Sequence, residues 1–145
     1  MLPQKETPMR LCSLALLGLM CAYPLAAQDT DLGKPLTAPE FDAFVTGRTL
    51  TYADEGQVYG TEEYRKDRKV IWAFTESECR EGYWYPQDEQ ICFVYEDPND
   101  PQCWLFFKGI KGLQAQFMGP GGGPSLSEVE QSTGPMRCAG PDVGV

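Results

Sequence analysis

The feature that most constrains the fold is a series of short β-type segments, separated by turn residues, between residues 48 and 117. The segments are rich in β-branched and aromatic side chains and recur about every 8–12 residues, as in all-β domains. Their connections are too short for the crossovers of about a dozen residues that parallel strands need. We therefore predict an antiparallel meander of seven strands: Thr49–Tyr52, Val58–Tyr64, Val70–Phe74, Gly82–Tyr85, Ile91–Tyr95, Cys103–Lys108 and Leu113–Phe117.

Alternation within these segments indicates how each strand is covered. Apolar and polar residues alternate in Leu113–Phe117, which is typical of a strand with one buried face. Ile91–Tyr95 and Trp104–Phe107 are apolar on both faces, so we expect them at the centre of the sheet, covered on both sides. Gly60 either weakens the second strand or marks a bulge in it.

One short helix is predicted before the strands, at Pro39–Thr46. Thr37 and Glu40 have the spacing of a capping box, and a proline is tolerated in the first turn because its missing N–H needs no partner there. The apolar face of this helix is formed by Phe41, Phe44 and Val45. We expect that face to cover one side of the sheet or one open end of a barrel.

The first residues of the sequence predict export. Lys5 and Arg10 precede an apolar run from Leu11 to Tyr23, which is followed by small residues up to Ala27. This order is typical of a secretory signal peptide, and the run is shorter than the roughly 20 residues that cross a bilayer. A lipoprotein signal ending at Cys21 and a buried N-terminal helix are the alternatives to cleavage after Ala27.

Cleavage after Ala27 and the changes in composition along the rest of the sequence predict four parts of the chain. They are a signal peptide at 1–27, a flexible leader at 28–36, a β domain at 37–118 and a Gly/Pro-rich tail at 119–145. The tail has too few apolar residues to fold by itself.

Charge and composition exclude several functions. The chain has 21 acidic and 12 basic residues and a formal net charge of −9, which disfavours nucleic acid and anionic membrane surfaces as partners. It contains no His, so neither a Ser-His-Asp nor a Cys-His centre can form. Carboxylates near the strands keep open a glycan-acting enzyme as an alternative: Glu76, Glu78, Glu81, Asp88, Glu96 and Asp97.

Four cysteines remain after cleavage: Cys79, Cys92, Cys103 and Cys138. An even number in an oxidising compartment predicts two disulfides, and three pairings are open. No C-x-x-C spacing occurs among them and no His is present, so we expect neither a zinc site nor a redox centre, and no cofactor. A paired Cys138 would anchor the tail to the β domain.

Two groups of residues are candidates for ligand binding. Trp72, Trp84 and Trp104 could line a concave surface and stack on a sugar or hold a lipid-like molecule, or they could simply form the core. A weaker candidate is an acidic loop with calcium-type oxygen ligands, formed by Glu96, Asp97, Asn99 and Asp100. The alternative for this loop is a solvated turn.

Residues 60 to 104 carry a spaced pattern of cysteine, glycine and aromatic residues. Its members are Trp72, then Cys79, Gly82 and Trp84, then Ile91-Cys92-Phe93, and finally Cys103-Trp104. The pattern resembles that of a group of small secreted bacterial proteins of unknown function. The resemblance implies a β-meander or lipocalin-like half-barrel with Cys92–Cys103 and Cys79–Cys138 disulfides. A simple hairpin does not place Cys92 opposite Cys103, so this pairing requires a wide loop or a bulge.

We therefore expect a mainly β fold, an antiparallel meander or lipocalin-like partial barrel with one short N-terminal helix. The expected protein is secreted, in the bacterial periplasm, and binds an envelope component or a partner protein without catalysis. The alternatives are a carboxylate-based enzyme acting on glycan and a structural or inhibitory factor that docks on another protein.

Overall fold

The computed structural model describes residues 32–74 and 78–138. These residues form one α-helix, one short 3-10 helix at Lys66–Arg68 and an antiparallel barrel of eight strands. The α-helix is α1 (Ala38–Val45), and the strands are β1 (Thr49–Asp54), β2 (Gln57–Tyr64), β3 (Lys69–Ala73), β4 (Cys79–Gln87), β5 (Gln90–Val94), β6 (Gln102–Gly109), β7 (Gly112–Phe117) and β8 (Ser125–Ser132). The signal peptide predicted at 1–27 and the start of the leader lie outside the described residues.

Each strand pairs with the next along the chain, and β8 pairs with β1 to close the barrel. The mainly β, lipocalin-like fold is thus confirmed, but the barrel is closed rather than partial. Its eighth strand lies in the segment 119–145, which was predicted to be a tail outside the β domain. The barrel therefore continues past residue 118. The apolar pattern of the sequence does not predict β8, because Leu126 is its one buried side chain. The strand is held instead by backbone hydrogen bonds to β7 and β1.

Helix α1 begins at the predicted capping box. The Glu40 backbone N–H donates to Thr37 Oγ1 at 3.4 Å, and the Thr37 N–H donates to Glu40 Oε2 at 2.8 Å. These two bonds satisfy orphan donors of the first turn and fix where the helix starts. Phe41 and Val45, on the predicted apolar face, are fully buried.

Phe41 closes one end of the barrel. Its ring contacts four aromatic rings from β2, β4, β5 and β6, with centroids 4.5–6.4 Å away: Tyr64, Trp84, Phe93 and Phe106. Most of these contacts are edge-to-face, the arrangement that aromatic quadrupoles favour. The helix therefore covers an open end of the barrel, one of the two positions expected for it.

Strand β5 is buried on both faces, as predicted, because every side chain from Ile91 to Val94 is buried. Strand β4 is longer than the predicted Gly82–Tyr85 and contains Pro86. A proline is tolerated there because the pairing with β3 ends at Tyr83, so Pro86 faces only Ile91 of β5.

Two disulfides join Cys92 to Cys103 and Cys79 to Cys138, the pairing that the resemblance implies. Cys92 lies directly opposite Cys103 because the β5–β6 connection is a wide loop between Val94 and Gln102. The second disulfide anchors the segment 133–138, which crosses the outside of the barrel. Two further hydrogen bonds hold this segment, from Thr49 Oγ1 to the Gly134 carbonyl at 2.8 Å and from Met136 N–H to Glu63 Oε2 at 2.9 Å.

Candidate functional site

Two glycines allow large side chains to turn into the barrel. The β1–β2 register shifts between Tyr52 and Ala53 and leaves a bulge beside Gly60, one of the two roles predicted for that glycine. A Cβ on Gly60 would collide with the indole of Trp72. A Cβ on Gly82 would collide with Tyr95 and with the Val94 carbonyl. Because glycine has no side chain, Gly60 leaves room for the Trp72 ring and Gly82 leaves room for Tyr95 inside the barrel.

The end of the barrel opposite α1 contains a cavity of about 70 Å³. The β1–β2, β3–β4 and β5–β6 connections lie at this end. Aromatic side chains form most of its wall: Tyr59, Trp72, Phe74, Phe93, Tyr95 and Trp104. Adjacent strands alternate in direction, so aromatic residues near the start of one strand meet those near the end of its neighbour.

One carboxyl group lies within this aromatic wall. Glu62 points inward from β2, is 2% exposed, and accepts a hydrogen bond on Oε2 from the Tyr95 hydroxyl at 2.8 Å. Its second oxygen, Oε1, has no hydrogen-bond partner among residues 32–74 and 78–138. Burial raises the pKa of Glu62 to about 8, and the hydrogen bond from Tyr95 limits this rise. The carboxyl group is therefore mostly protonated at pH 7.

Two more tyrosines border the cavity at greater depth. The hydroxyl oxygens of Tyr52 and Tyr64 are 2.9 Å apart, and both side chains are buried. Burial raises the pKa of Tyr52, Tyr64 and Tyr95 above the ordinary value for a phenol. The three hydroxyls therefore stay neutral and act only as hydrogen-bond donors and acceptors.

The mouth of the cavity is partly exposed. Phe74 is 44% exposed and packs edge-on against Trp72 and Tyr59, with centroids 5.3 and 5.7 Å away. The Arg80 guanidinium lies 5.8 Å from the Phe74 ring centroid, and its Nε is 3.8 Å from Glu96 Oε1. These side chains border the opening of the cavity.

The structure brings together only two of the three tryptophans predicted to face a ligand. Trp72 and Trp104 line the cavity, and each is 8% exposed. Trp84 points inward at the other end, 1% exposed, with its ring 5.2 Å from Phe41 and 4.8 Å from the Arg68 guanidinium. Trp84 is therefore part of the core beneath the helix, because its ring packs against Phe41 and does not line the cavity.

The acidic loop between β5 and β6 forms a turn. Asp97 Oδ1 accepts hydrogen bonds from the backbone N–H and the side-chain amide of Asn99 at 2.8 and 3.2 Å, and the Asp100 N–H donates to the Asp97 carbonyl. Glu96 is directed toward Arg80 instead. No three Cys, Asp or Glu side chains in the described parts of the chain group so that they could hold a metal ion. The geometry thus favours the solvated turn over the calcium site.

Sequence reasoning misses Glu62, because the signal for its inward position depends on how the strands pair. Glu62 and Glu63 are adjacent in a strand, so alternation alone does not show which one faces inward. The phase follows from Gly60 and Tyr64, which share a face with Glu62, and from Trp72, which lies directly opposite Glu62 in the β2–β3 register. Glu63 faces outward, where Arg65 Nε lies 2.7 Å from its Oε1.

Comparisons of the chain with known protein families, with curated proteins and with solved structures give no match. In the described part of the chain, no helix has both the length and the apolar character needed to cross a membrane. The functional argument therefore depends on the geometry of the cavity.

Proposed function

We propose that this protein is an exported binding protein whose ligand enters the open end of the barrel. The observation that carries this proposal is the Glu62 carboxyl group, buried in an aromatic cavity with Oε1 unpartnered by any described residue. A buried polar group without a hydrogen bond costs about 1–3 kcal/mol. Folded proteins have few such groups, and a ligand that completes the hydrogen bonding accounts for this one.

The size of the cavity limits what can enter it. An apolar cavity of about 150 Å³ accommodates benzene, whereas this one measures about 70 Å³. Only a small head group of a few heavy atoms therefore fits beside Glu62. The rest of the ligand would lie at the mouth, against Phe74 and Tyr59.

The cavity supports binding better than glycan hydrolysis. Hydrolysis of a glycosidic bond uses two facing carboxyl groups, about 5–10 Å apart. Among the described residues that line the cavity, Glu62 is the one carboxylic acid. Docking on a protein partner would instead use a continuous apolar surface, yet the two most exposed large apolar side chains lie at opposite ends of the barrel, Val58 near the start of β2 and Ile110 in the β6–β7 turn.

Export is the second part of the proposal. The two disulfides support an oxidising compartment, such as the bacterial periplasm, as the place of folding, and an envelope component as the source of the ligand. The test is expression of the full chain in a bacterial host, followed by fractionation and N-terminal sequencing. We expect a periplasmic protein beginning at Gln28, whereas an uncleaved cytoplasmic protein with free thiols would refute export.

The test of binding is an NMR titration of the oxidised protein with a panel of small amines, alcohols, carboxylic acids and sugars. A ligand in the cavity should shift the indole N–H signals of Trp72 and Trp104 and leave that of Trp84 unchanged, because Trp84 lies at the helix-capped end. Ala115→Leu, which adds volume to the cavity wall, should abolish the shifts. Equal shifts at all three tryptophans, or none with the whole panel, would refute binding in this cavity.

A further inference from the structure

Building on the proposed binding function, we propose that the cavity recognises a primary ammonium group, with Glu62 Oε1 as its carboxylate partner. The supporting geometry is a single buried carboxyl oxygen, without a hydrogen-bond partner among the described residues, within a wall of aromatic rings. A cation enclosed by aromatic rings is attracted to their negatively polarised π-faces. The ligand class is therefore an organic amine with a short apolar stem.

Once Glu62 is ionised, the hydrogen-bonding groups of the cavity suit a donor better than an acceptor. Tyr95 has one hydroxyl proton and already donates it to Glu62 Oε2, so its oxygen is left to accept. Tyr52 and Tyr64 share one hydrogen bond, which leaves oxygen lone pairs as well as one hydroxyl proton on this pair. An ammonium group has three N–H donors and no acceptor, and it can bond to Glu62 Oε1 and to these phenol oxygens.

The surrounding charges also favour a cation. Tyr52 from β1, Tyr59 and Tyr64 from β2 and Tyr95 after β5 share the cavity with Glu62. Glu128 from β8 is close enough to Tyr52 to influence its pKa. Arg80 is the one basic residue among the described lining residues, and Glu96 lies beside it at the mouth. An anionic ligand would have to displace that interaction and would then face Glu62.

Binding of an ammonium ion by this site must release a proton. Because burial raises the pKa of Glu62 to about 8, the Glu62 carboxyl group is mostly protonated at pH 7 when no ligand is bound. The arriving cation favours the ionised carboxyl group, so the Glu62 O–H bond breaks and its proton passes to the solvent. Affinity should therefore increase with pH, by about 50-fold between pH 6 and pH 8, and level off above pH 8.

The experiment compares three probes with the same carbon chain: n-hexylamine, n-hexanol and hexanoate. Binding to the oxidised protein is measured by calorimetry and by the Trp72 and Trp104 indole signals at pH 6, 7 and 8. We expect hexylamine to bind at least about tenfold more tightly than the other two, with the pH dependence above. Calorimetry in two buffers of different ionisation enthalpy should show release of close to one proton at pH 7.

Two substitutions connect the effect to the carboxyl group. Glu62→Gln keeps the shape and removes the charge, so it should abolish both the preference for amine and its pH dependence. Glu63→Gln is the matched control, because Glu63 is the next residue but lies on the outer face. Tyr95→Phe removes a hydrogen bond that stabilises the ionised carboxylate, so it should weaken amine binding most at pH 6 to 7.

The outcomes separate this inference from the proposed function. If hexanol or hexanoate shifts the Trp72 and Trp104 signals as strongly as hexylamine does, the cavity binds ligands but the ammonium preference is wrong. If hexylamine binds equally well to Glu62→Gln, the carboxylate has no part in recognition. If no probe shifts either signal, the ammonium inference fails, and the wider panel described above decides the binding function.

Discussion

The two ends of the barrel are built differently. At one end α1 inserts Phe41 among four aromatic rings, so the interior is filled with apolar side chains. At the other end the interior holds a cavity with Glu62 and its partner Tyr95. The first end is arranged for stability, because close packing of large rings is the main favourable contribution to folding. The second end is less closely packed and contains a buried ionisable carboxyl group instead.

Covalent bonds are placed where packing is weakest. Cys79 and Cys103 lie at or next to the first residue of β4 and β6, and both strands begin at the open end. Cys79–Cys138 also fastens the segment 133–138 across the outside of the barrel. The comparison suggests that the capped end is maintained by noncovalent packing and the open end by disulfides.

The largest effect should come from the capped end. Phe41→Ala removes a fully buried ring and should lower the free energy of unfolding by about 3–5 kcal/mol. The measurement is urea unfolding followed by tryptophan fluorescence. Phe74→Ala is the matched control, since Phe74 is 44% exposed at the open end and its loss should cost about 1 kcal/mol or less. Equal losses for the two variants would remove the distinction between the ends.

The next effect concerns the disulfides. Replacing Cys79 and Cys138 with Ser together should cost about 2–4 kcal/mol, since this bond closes a loop with a sequence separation of 59. Replacing Cys92 and Cys103 should cost less, because their separation is 11. Urea unfolding measures both, and hydrogen exchange should show that loss of Cys79–Cys138 opens the β3–β4 end before α1. Faster exchange confined to α1 would contradict the proposed division.

The third prediction concerns the buried carboxyl group. Burial raises the folded-state pKa of Glu62 from its ordinary value of 4.5 to about 8, so the folded protein binds more protons than the unfolded chain between those values. Stability should therefore fall as pH rises from about 4.5 to about 8, by up to ~1.4 kcal/mol per pH unit. Above that range the contribution of Glu62 is constant.

Glu62→Gln removes this pH dependence. We expect the stability of the variant relative to the wild type to increase by about 3–4 kcal/mol between pH 5 and pH 8. Chemical unfolding at both pH values provides the measurement. Glu63→Gln should not produce the gain, because Glu63 has partners in Arg65 and Met136. A difference between Glu62→Gln and wild type that is the same at both pH values would argue that Glu62 is not buried as described.

Much of the capped end could be predicted from the sequence because its determinants are local. Thr37 and Glu40 are three residues apart, and the apolar face of the helix follows from the spacing of Phe41 and Val45. The strands from β1 to β7 were predictable for the same reason, since each contains its own alternation and is bounded by turn residues.

The open end and the closure of the barrel depend on residues that are distant in sequence. Strand β8 has a polar sequence, and its pairing with β1 depends on where the ends of the sheet meet. Glu62 receives its hydrogen bond from Tyr95, 33 residues later, and faces inward because of its register with Trp72. A buried glutamate has the same local sequence as an exposed one, so its environment could not be inferred before the strands were paired.

The smallest effect tests whether the two ends are independent. Thr37→Ala removes the side-chain acceptor of the capping box and should cost about 1 kcal/mol of stability. The hydrogen bond from the Thr37 backbone lowers the pKa of Glu40, so stabilisation by the cap should be lost as pH falls through that lowered value. Thr46→Ala, at the other end of α1, is the control and should cost only a few tenths of a kcal/mol. Because the cap lies at the end away from Glu62, Thr37→Ala should leave hexylamine affinity unchanged, and a parallel loss of affinity would show that packing around Phe41 controls the shape of the cavity.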